Sequence, residues 1–356
     1  MFGVNLEDKA LNKARCRQAA VCAALAIFLS GQVAKAQEAK VKIGFSFEAM
    51  KGERWQTDLS SFEKRAKELG AEVISKDAGG DDDRQLEQVK EMIKGGIQVL
   101  VLLPHDTTTA SRIVDAAKLA NVKVISYDRL VLDSAVDLYV SFDREEIGKL
   151  QAESLMKQAP KGNYVLVAGS PHDEGAKILH EAQIKVLRPH IVHGDITVVA
   201  DGYTKDWLPS EAYLFTLNAI TATKGNIAAV LASNDGLAGG AIQALREHNL
   251  AGKVAVSGQD ADLAAVICVA DGSQTMTVYK PVAHEAVRAA EEAVRLAKGE
   301  KPHADATVNN GKAKVPAILL KPVVVTKENI KSTVVSDGFQ TLQSINRGLP
   351  EDQKIK

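Results

Sequence analysis

The sequence predicts an α/β protein of two doubly wound lobes. Three observations lead there. Short, near-continuous apolar runs rich in β-branched residues alternate with amphipathic helical patterns, as in parallel sheets covered on both faces. Residues that tolerate a left-handed backbone, Gly70, Gly95 and Asn121, close successive units at spacings of 25 and 26 residues, each followed at once by a strand pattern. The apolar runs number about eleven, more than an ordinary open sheet of about five or six strands holds.

In chain order, "VKIGFSF" (41–47) reads as the first strand. The spacing predicts a helix over 55–69, with Leu59, Phe62, Ala66 and Leu69 on one stripe and Gly70 as its stop. "AEVIS", "KGGIQVLVLLP", "ANVKVISYD" and "DLYVSFD" supply four more strands. Asp81 to Asp83 precede a helix and complement its N-terminal dipole. After a break near Phe142 to Arg144 the pattern resumes with strands in "NYVLVAG", "DITVVAD", "IAAVLASND", "KVAVSGQD" and "QTMTVYK". Helices are expected over 145–158 and 210–222, and "GLAGGAIQ" (236–243) opens a helix whose small residues suit close packing. A charged helix over 282–298 and a last strand, "AILLKPVVV", complete the pattern. A chain that crosses back would hinge near Lys280 and again near Ala317. The resulting division is 37–142 plus 281–317 for one lobe, 143–280 plus 318–337 for the other, and a loose tail over 338–356.

The first residues are set apart. Lys9, Lys13, Arg15 and Arg17 precede the apolar run "AAVCAALAIFL" (19–29), and "AKA" (34–36) fits a small-x-small cleavage site, so 1–36 is expected to be a signal peptide. The remaining 320 residues carry 39 basic and 43 acidic side chains, a formal charge of −4. A mildly acidic chain without a basic patch argues against nucleic acid as a partner. Cys268 alone remains of the three cysteines, within an apolar helical pattern that predicts a buried, inert thiol. The product expected is an exported, soluble protein.

In a parallel α/β sheet, ligands bind beyond the carboxyl ends of the strands. The residues that end the apolar runs therefore form a set: Phe47-Glu48, Pro104-His105, Asp128-Arg129, Ser141 to Asp143, Ser170 to Asp173, Asn234-Asp235, Gln259-Asp260 and Lys280. A single Asp or Asn at such a place reads as a helix cap. The ensemble does not, because Arg129, Gln259 and Lys280 are not capping residues. Carboxylates, amides and cations together match sugar hydroxyls, which both donate and accept. The only two tryptophans, Trp55 and Trp207, fall in polar strand-to-helix junctions and suit the apolar C–H faces of a pyranose. Other chemistries are weakly supported. The sequence holds no phosphate-binding Gly-x-Gly-x-x-Gly after a strand, no P-loop and no Gly-x-Ser-x-Gly elbow. His190 and His193, flanked by Pro189 and Gly194, read as a solvated loop rather than a zinc site. No metal or cofactor is expected.

"GERWQTD", "ISYDRL", "GNYVLVAGSP", "DWLP", "ASND", "GGAIQAL", "SGQDADLA" and "QTMTVYKP" resemble the ribose/galactose-type branch of the periplasmic sugar-binding proteins of bacterial ABC importers, and within it the D-xylose-binding members. The resemblance runs from about Val41 to Phe339. It implies the type I periplasmic binding protein fold, two Rossmann-like lobes joined by a three-segment hinge with the sugar in the cleft. It implies that Arg54, Asp128 and Arg129 hold the sugar from one lobe, and Asp173, Asn234, Asp260 and Lys280 from the other lobe and hinge, with Trp55 and Trp207 as aromatic surfaces. Gly175 stands where the family pattern has an Asn, which implies one ligand hydrogen bond fewer, or its replacement by water or Glu174.

The expectation is an exported receptor, acting as a monomer, that captures D-xylose or a related pentose and delivers it to a membrane permease. An exported sugar-acting enzyme is the alternative from another class. Asp173 and Asp260 would be its carboxylate pair, but neighbouring Arg and Lys keep both ionised. A sugar-sensing subunit for chemotaxis or signalling is a second alternative.

Overall fold

The computed structural model describes residues 40–50 and 53–356; the expected signal peptide lies outside them. The chain runs β1 (Lys42–Phe47), α1 (Glu53–Glu68), β2 (Glu72–Asp77), α2 (Asp82–Lys94), β3 (Val99–Leu102), α3 (Ser111–Leu119), β4 (Lys123–Tyr127) and β5 (Leu138–Phe142). It then passes through α4 (Arg144–Gln158), β6 (Gly162–Ala168), α5 (Glu174–His193), β7 (Ile196–Tyr203), α6 (Pro209–Thr223), β8 (Ala229–Ala232), α7 (Asp235–Glu247), β9 (Ala255–Val256), α8 (Leu263–Asp271) and β10 (Thr277–Tyr279). Last come α9 (Val282–Ala297), β11 (Ala306–Asn309), β12 (Lys314–Leu320), β13 (Val323–Val325) and α10 (Leu342–Arg347).

One sheet has the order β11-β12-β5-β4-β3-β1-β2 and a second the order β7-β6-β8-β9. Every pairing in them is parallel except β11 with β12. The first unit of each sheet thus lies between the second and third, so strand order reverses at β1/β3 and again at β6/β8. Those are the crevices where doubly wound sheets bind ligands. A bridge between Gln259 and Val278 and the antiparallel pair β10–β13 continue the second layer toward the hinge.

Burial follows from the sequence pattern. β3 (VLVL) is buried throughout, as expected of a strand covered on both faces. Phe62 and Ala66 of the α1 stripe are wholly buried, against Phe45, Val99 and the alanines of α9. Gly240 of α7 is required by close approach: a Cβ there would lie 2.1 Å from the Pro209 carbonyl oxygen. Asn121 adopts the left-handed backbone, with φ 58. At the end of α2 the left-handed residue is Gly96, φ 83, rather than Gly95, whose φ is −72.

Four further expectations are corrected. "AILLKPVVV" is two strands: β12 stays in the first sheet until Leu320, opposite Phe142, and Pro322 separates it from β13, which pairs with β10. The last crossing therefore lies three residues beyond the expected Ala317. The segment His190 to His193 is helical, because α5 continues through Pro189 to a left-handed Gly194. Cys268 is partly rather than fully buried. The tail is not loose: Thr341 caps α10, and Ile345 and Leu349 are buried against Ile330, Val334 and Tyr279. A helix of six residues is too short to show a period, which is why the sequence reads as structureless there.

Candidate sugar-binding cleft

All nine residues singled out from the sequence line one cavity of about 290 Å³ between the two sheets. β1 delivers Glu48 to its mouth, and the first turn of α1 places Arg54 and Trp55 beside it. The Arg54 guanidinium lies 4.0 Å over the Trp55 ring. It is 3.0 Å from Asp128 Oδ1, 3.5 Å from Asp260 Oδ1, 3.1 Å from Glu285 Oε2 and 3.7 Å from Asp58 Oδ2. Burial opposes its charge, but these four carboxylates overcome that and hold its pKa well above the ordinary arginine value.

Asp128 follows β4 directly with φ 57. Its carbonyl oxygen accepts from the Tyr139 hydroxyl (3.0 Å), the Ser141 hydroxyl (2.7 Å) and Arg144 Nη2 (3.0 Å), which fixes this turn. The carboxylate lies 2.7 Å from Arg144 Nη2 and 3.8 Å from Lys280 Nζ. Burial pushes the Asp128 carboxyl up, yet Arg144, Arg54 and Lys280 hold it well below the usual range. Arg129 spans the lobes: Nη1 donates to the Pro104 carbonyl at 3.1 Å, and Nε lies 3.2 Å from Asp173 Oδ2.

The other wall is built from caps. Asp173 caps α5 through Gly175 N at 2.8 Å, and Asn234 caps α7 through Leu237 N at 2.9 Å. Capping uses one oxygen of each, so the local reading and the site reading hold at once. A Cβ on Gly175 would lie 3.3 Å from Arg144 Nε, so Arg144 crowds the place a side chain would need. Asp260 lies 2.8 Å from Lys280 Nζ. Burial raises the Asp260 carboxyl, but Lys280 and Arg54 outweigh it and the net shift is downward. Lys280, only 1 % exposed, is shifted down by burial and by Arg54.

Backbone strain concentrates here. Asp128, Asp206 (φ 50), Trp207 (φ 59) and Asp260 (φ 104) all carry left-handed φ and line the cavity, and Ala261 (φ 57) adjoins it. Such conformations cost of order 1–3 kcal/mol each and persist where surrounding structure imposes them, as at ligand sites.

Glu48 and Gln259, already in the strand-end set, also line the cavity, and sequence reasoning did not single out Arg144, Asp206, Leu208, Pro209, Gly236 or Asp262. Arg144 is one residue past that pattern, at the start of α4, and Asp206 precedes a Trp already singled out.

A model of the periplasmic binding protein domain matches residues 43–301. The chain belongs to the periplasmic binding protein family. This periplasmic binding protein is 48% identical to the D-xylose-binding periplasmic protein of Haemophilus influenzae, covering 90% of this chain and 96% of the relative. It is likewise 48% identical to that of Escherichia coli, over 88% and 94% of the two chains. Its structure is similar, with a TM-score of 0.79 at 31% identity, to a carbohydrate transporter solute binding protein from Chloroflexus aurantiacus in complex with D-glucose, over 85% of this chain and 97% of the other.

Proposed function

We propose that this periplasmic binding protein is a sugar receptor that captures a monosaccharide, D-xylose above all, between its lobes and delivers it to the membrane permease of an ABC importer. In this reading the signal peptide is removed after Ala36, and the mature chain works as a monomer in the periplasm. Arg54, Asp128, Arg129, Asp173, Asn234, Asp260 and Lys280 hold the hydroxyls, and Trp55 and Trp207 supply the apolar contacts. The carrying observation is the convergence of those nine residues on one interlobe cavity. About 290 Å³ is near the lower end of the ~300–1,000 Å³ usual for small-molecule sites, which suits one sugar ring. The 48% identity to two proteins named for D-xylose favours a pentose.

The work is capture, not bond breaking. A ligand bridging the lobes stabilises the closed arrangement. Charge-assisted hydrogen bonds of about 1.5–3 kcal/mol net each, less the cost of closure and immobilisation, reach the ~8 kcal/mol of a micromolar site. The enzymatic alternative needs one carboxyl protonated as an acid, whereas Asp260 is held ionised by Lys280 and Arg54. Calorimetric titration of the mature protein with D-xylose, D-ribose and D-glucose tests the reading. Saturable heat with D-xylose and weaker responses to the others are expected; no saturable binding of any of the three refutes it.

A further inference from the structure

Beneath the cleft lies a carboxyl that the sugar reading does not use. Glu285, in the first turn of α9 just past the hinge residue Lys280, is wholly buried. Its Oε2 accepts from Arg54 Nη2 at 3.1 Å, while its buried Oε1 has no hydrogen-bond partner among the described residues. The groups that face it come from three places: Arg54 and Asp58 from α1, Tyr127 and Asp128 from the end of β4, and Lys280 from the hinge. On its own helix Arg288 is engaged by Glu291 at 3.3 Å and Glu292 at 3.7 Å. The buried cluster around Arg54 thus holds four carboxyls (Asp58, Asp128, Asp260, Glu285) against three cations (Arg54, Arg144, Lys280). Arg129, which also acts on Asp128, is itself engaged by Glu48 and Asp173, so acids outnumber cations across this buried network and burial favours a proton on the acid that cations serve least. Asp128 and Asp260 each meet two or more cations. Asp58 receives the Tyr127 hydroxyl. Glu285 has Arg54 at ion-pair distance and Lys280 only farther off.

We propose that Glu285 is the positioning residue for Arg54: as a neutral acid it steadies the guanidinium in the cleft, and once ionised it draws the guanidinium back toward α9, away from the sugar. The proposal rests on reading Arg54 as a sugar-binding residue. Burial, then the Asp128 charge, push the Glu285 carboxyl well above the usual glutamate range, in keeping with the neutral form.

Two measurements test it. D-Xylose is titrated from about pH 6 to about pH 10 into the mature protein and its Glu285→Gln and Glu285→Ala variants. Affinity of the wild type is expected to fall about tenfold along an alkaline limb that Glu285→Gln lacks, while Glu285→Ala binds about tenfold more weakly at every pH. Matching pH profiles for wild type and Glu285→Gln overturn the proposal. The second measurement needs no sugar. Trp207→Phe leaves Trp55 as the only tryptophan, 4.0 Å from the Arg54 guanidinium. Its emission is expected to titrate with pH in Trp207→Phe and not in Trp207→Phe with Glu285→Gln. Identical titrations in both overturn the coupling. A wild type that binds no sugar while Trp55 still titrates through Glu285 leaves the positioning intact and removes the receptor reading instead.

Discussion

The Trp207 ring lies directly against Gly169: a Cβ on Gly169 would be 2.2 Å from Trp207 Cη2 and 2.3 Å from Cζ2. No side chain can stand there with the ring in place. The ring must shift to make room, and the left-handed backbone at Asp206 and Trp207 that sets its position leaves little freedom for that shift. Gly169→Ala is therefore expected to displace Trp207 and weaken D-xylose binding about as much as Trp207→Ala, by roughly tenfold or more for a lost aromatic platform. Circular dichroism should be unchanged for both. Calorimetry that finds Gly169→Ala at wild-type affinity would show that the ring position does not matter.

Arg144 is expected to matter as much as the residues the sequence pointed to. Its Nη2 serves both the carboxylate of Asp128, at 2.7 Å, and the Asp128 carbonyl, at 3.0 Å. Both groups are buried, and removing one partner of a buried pair costs about 3–5 kcal/mol. Arg144→Met should lower the melting temperature of the sugar-free protein and the sugar affinity together. Arg144→Lys should recover more of the stability than of the affinity, since an ammonium keeps a cation beside Asp128 but does not replace the guanidinium that lines the cavity. Thermal melts and titration of the two variants separate these effects.

Why some of this was legible and some not follows from where the residues stand. Asp128, Asn234, Asp260 and Lys280 end apolar runs, and in a parallel sheet that position alone aims a residue at the ligand crevice. Arg54 and Trp55 were marked by their place just after the first strand. Asp58 and Glu285 were not legible, because within amphipathic helices they stand among charged residues that face solvent; only the packing of α9 on α1 turns them inward. Pro322 splits one apolar run between two sheets, and no periodicity distinguishes that from a single strand.

The lobes also touch at the mouth of the cleft. Thr107 N donates to the His172 carbonyl at 3.1 Å, and His172 Nδ1 lies 3.0 Å from Asp106 Oδ2. Such contacts exist only in a closed arrangement and add to the ligand's own bridging. His172 is more than half exposed, so the ion-pair contribution is small and screened. Asp106→Ala is expected to weaken D-xylose binding by about fivefold at most, with the difference shrinking as salt is raised. A larger loss, or one indifferent to salt, would assign Asp106 a role beyond this contact.

Asp58 makes a pH dependence of stability that can be signed. It is fully buried under Arg54 and receives the Tyr127 hydroxyl. Burial raises its carboxyl from 3.8 to about 6, against the pull of Arg54 and of the Tyr127 hydrogen bond. The folded protein therefore holds this proton more tightly than the unfolded chain. The stability it contributes is complete below about pH 4 and is lost as pH rises through about 6, an upper bound near 3 kcal/mol for a shift of two pH units. Asp128 and Asp260, whose carboxyls are shifted down, act in the opposite direction and below this window. Asp58→Asn keeps the neutral shape and cannot ionise. Its melting temperature, taken relative to wild type without sugar, is expected to climb between about pH 4 and about pH 7. A difference that stays flat across that interval would mean Asp58 is already ionised when the protein is folded at pH 4, and that Arg54, not burial, sets its charge.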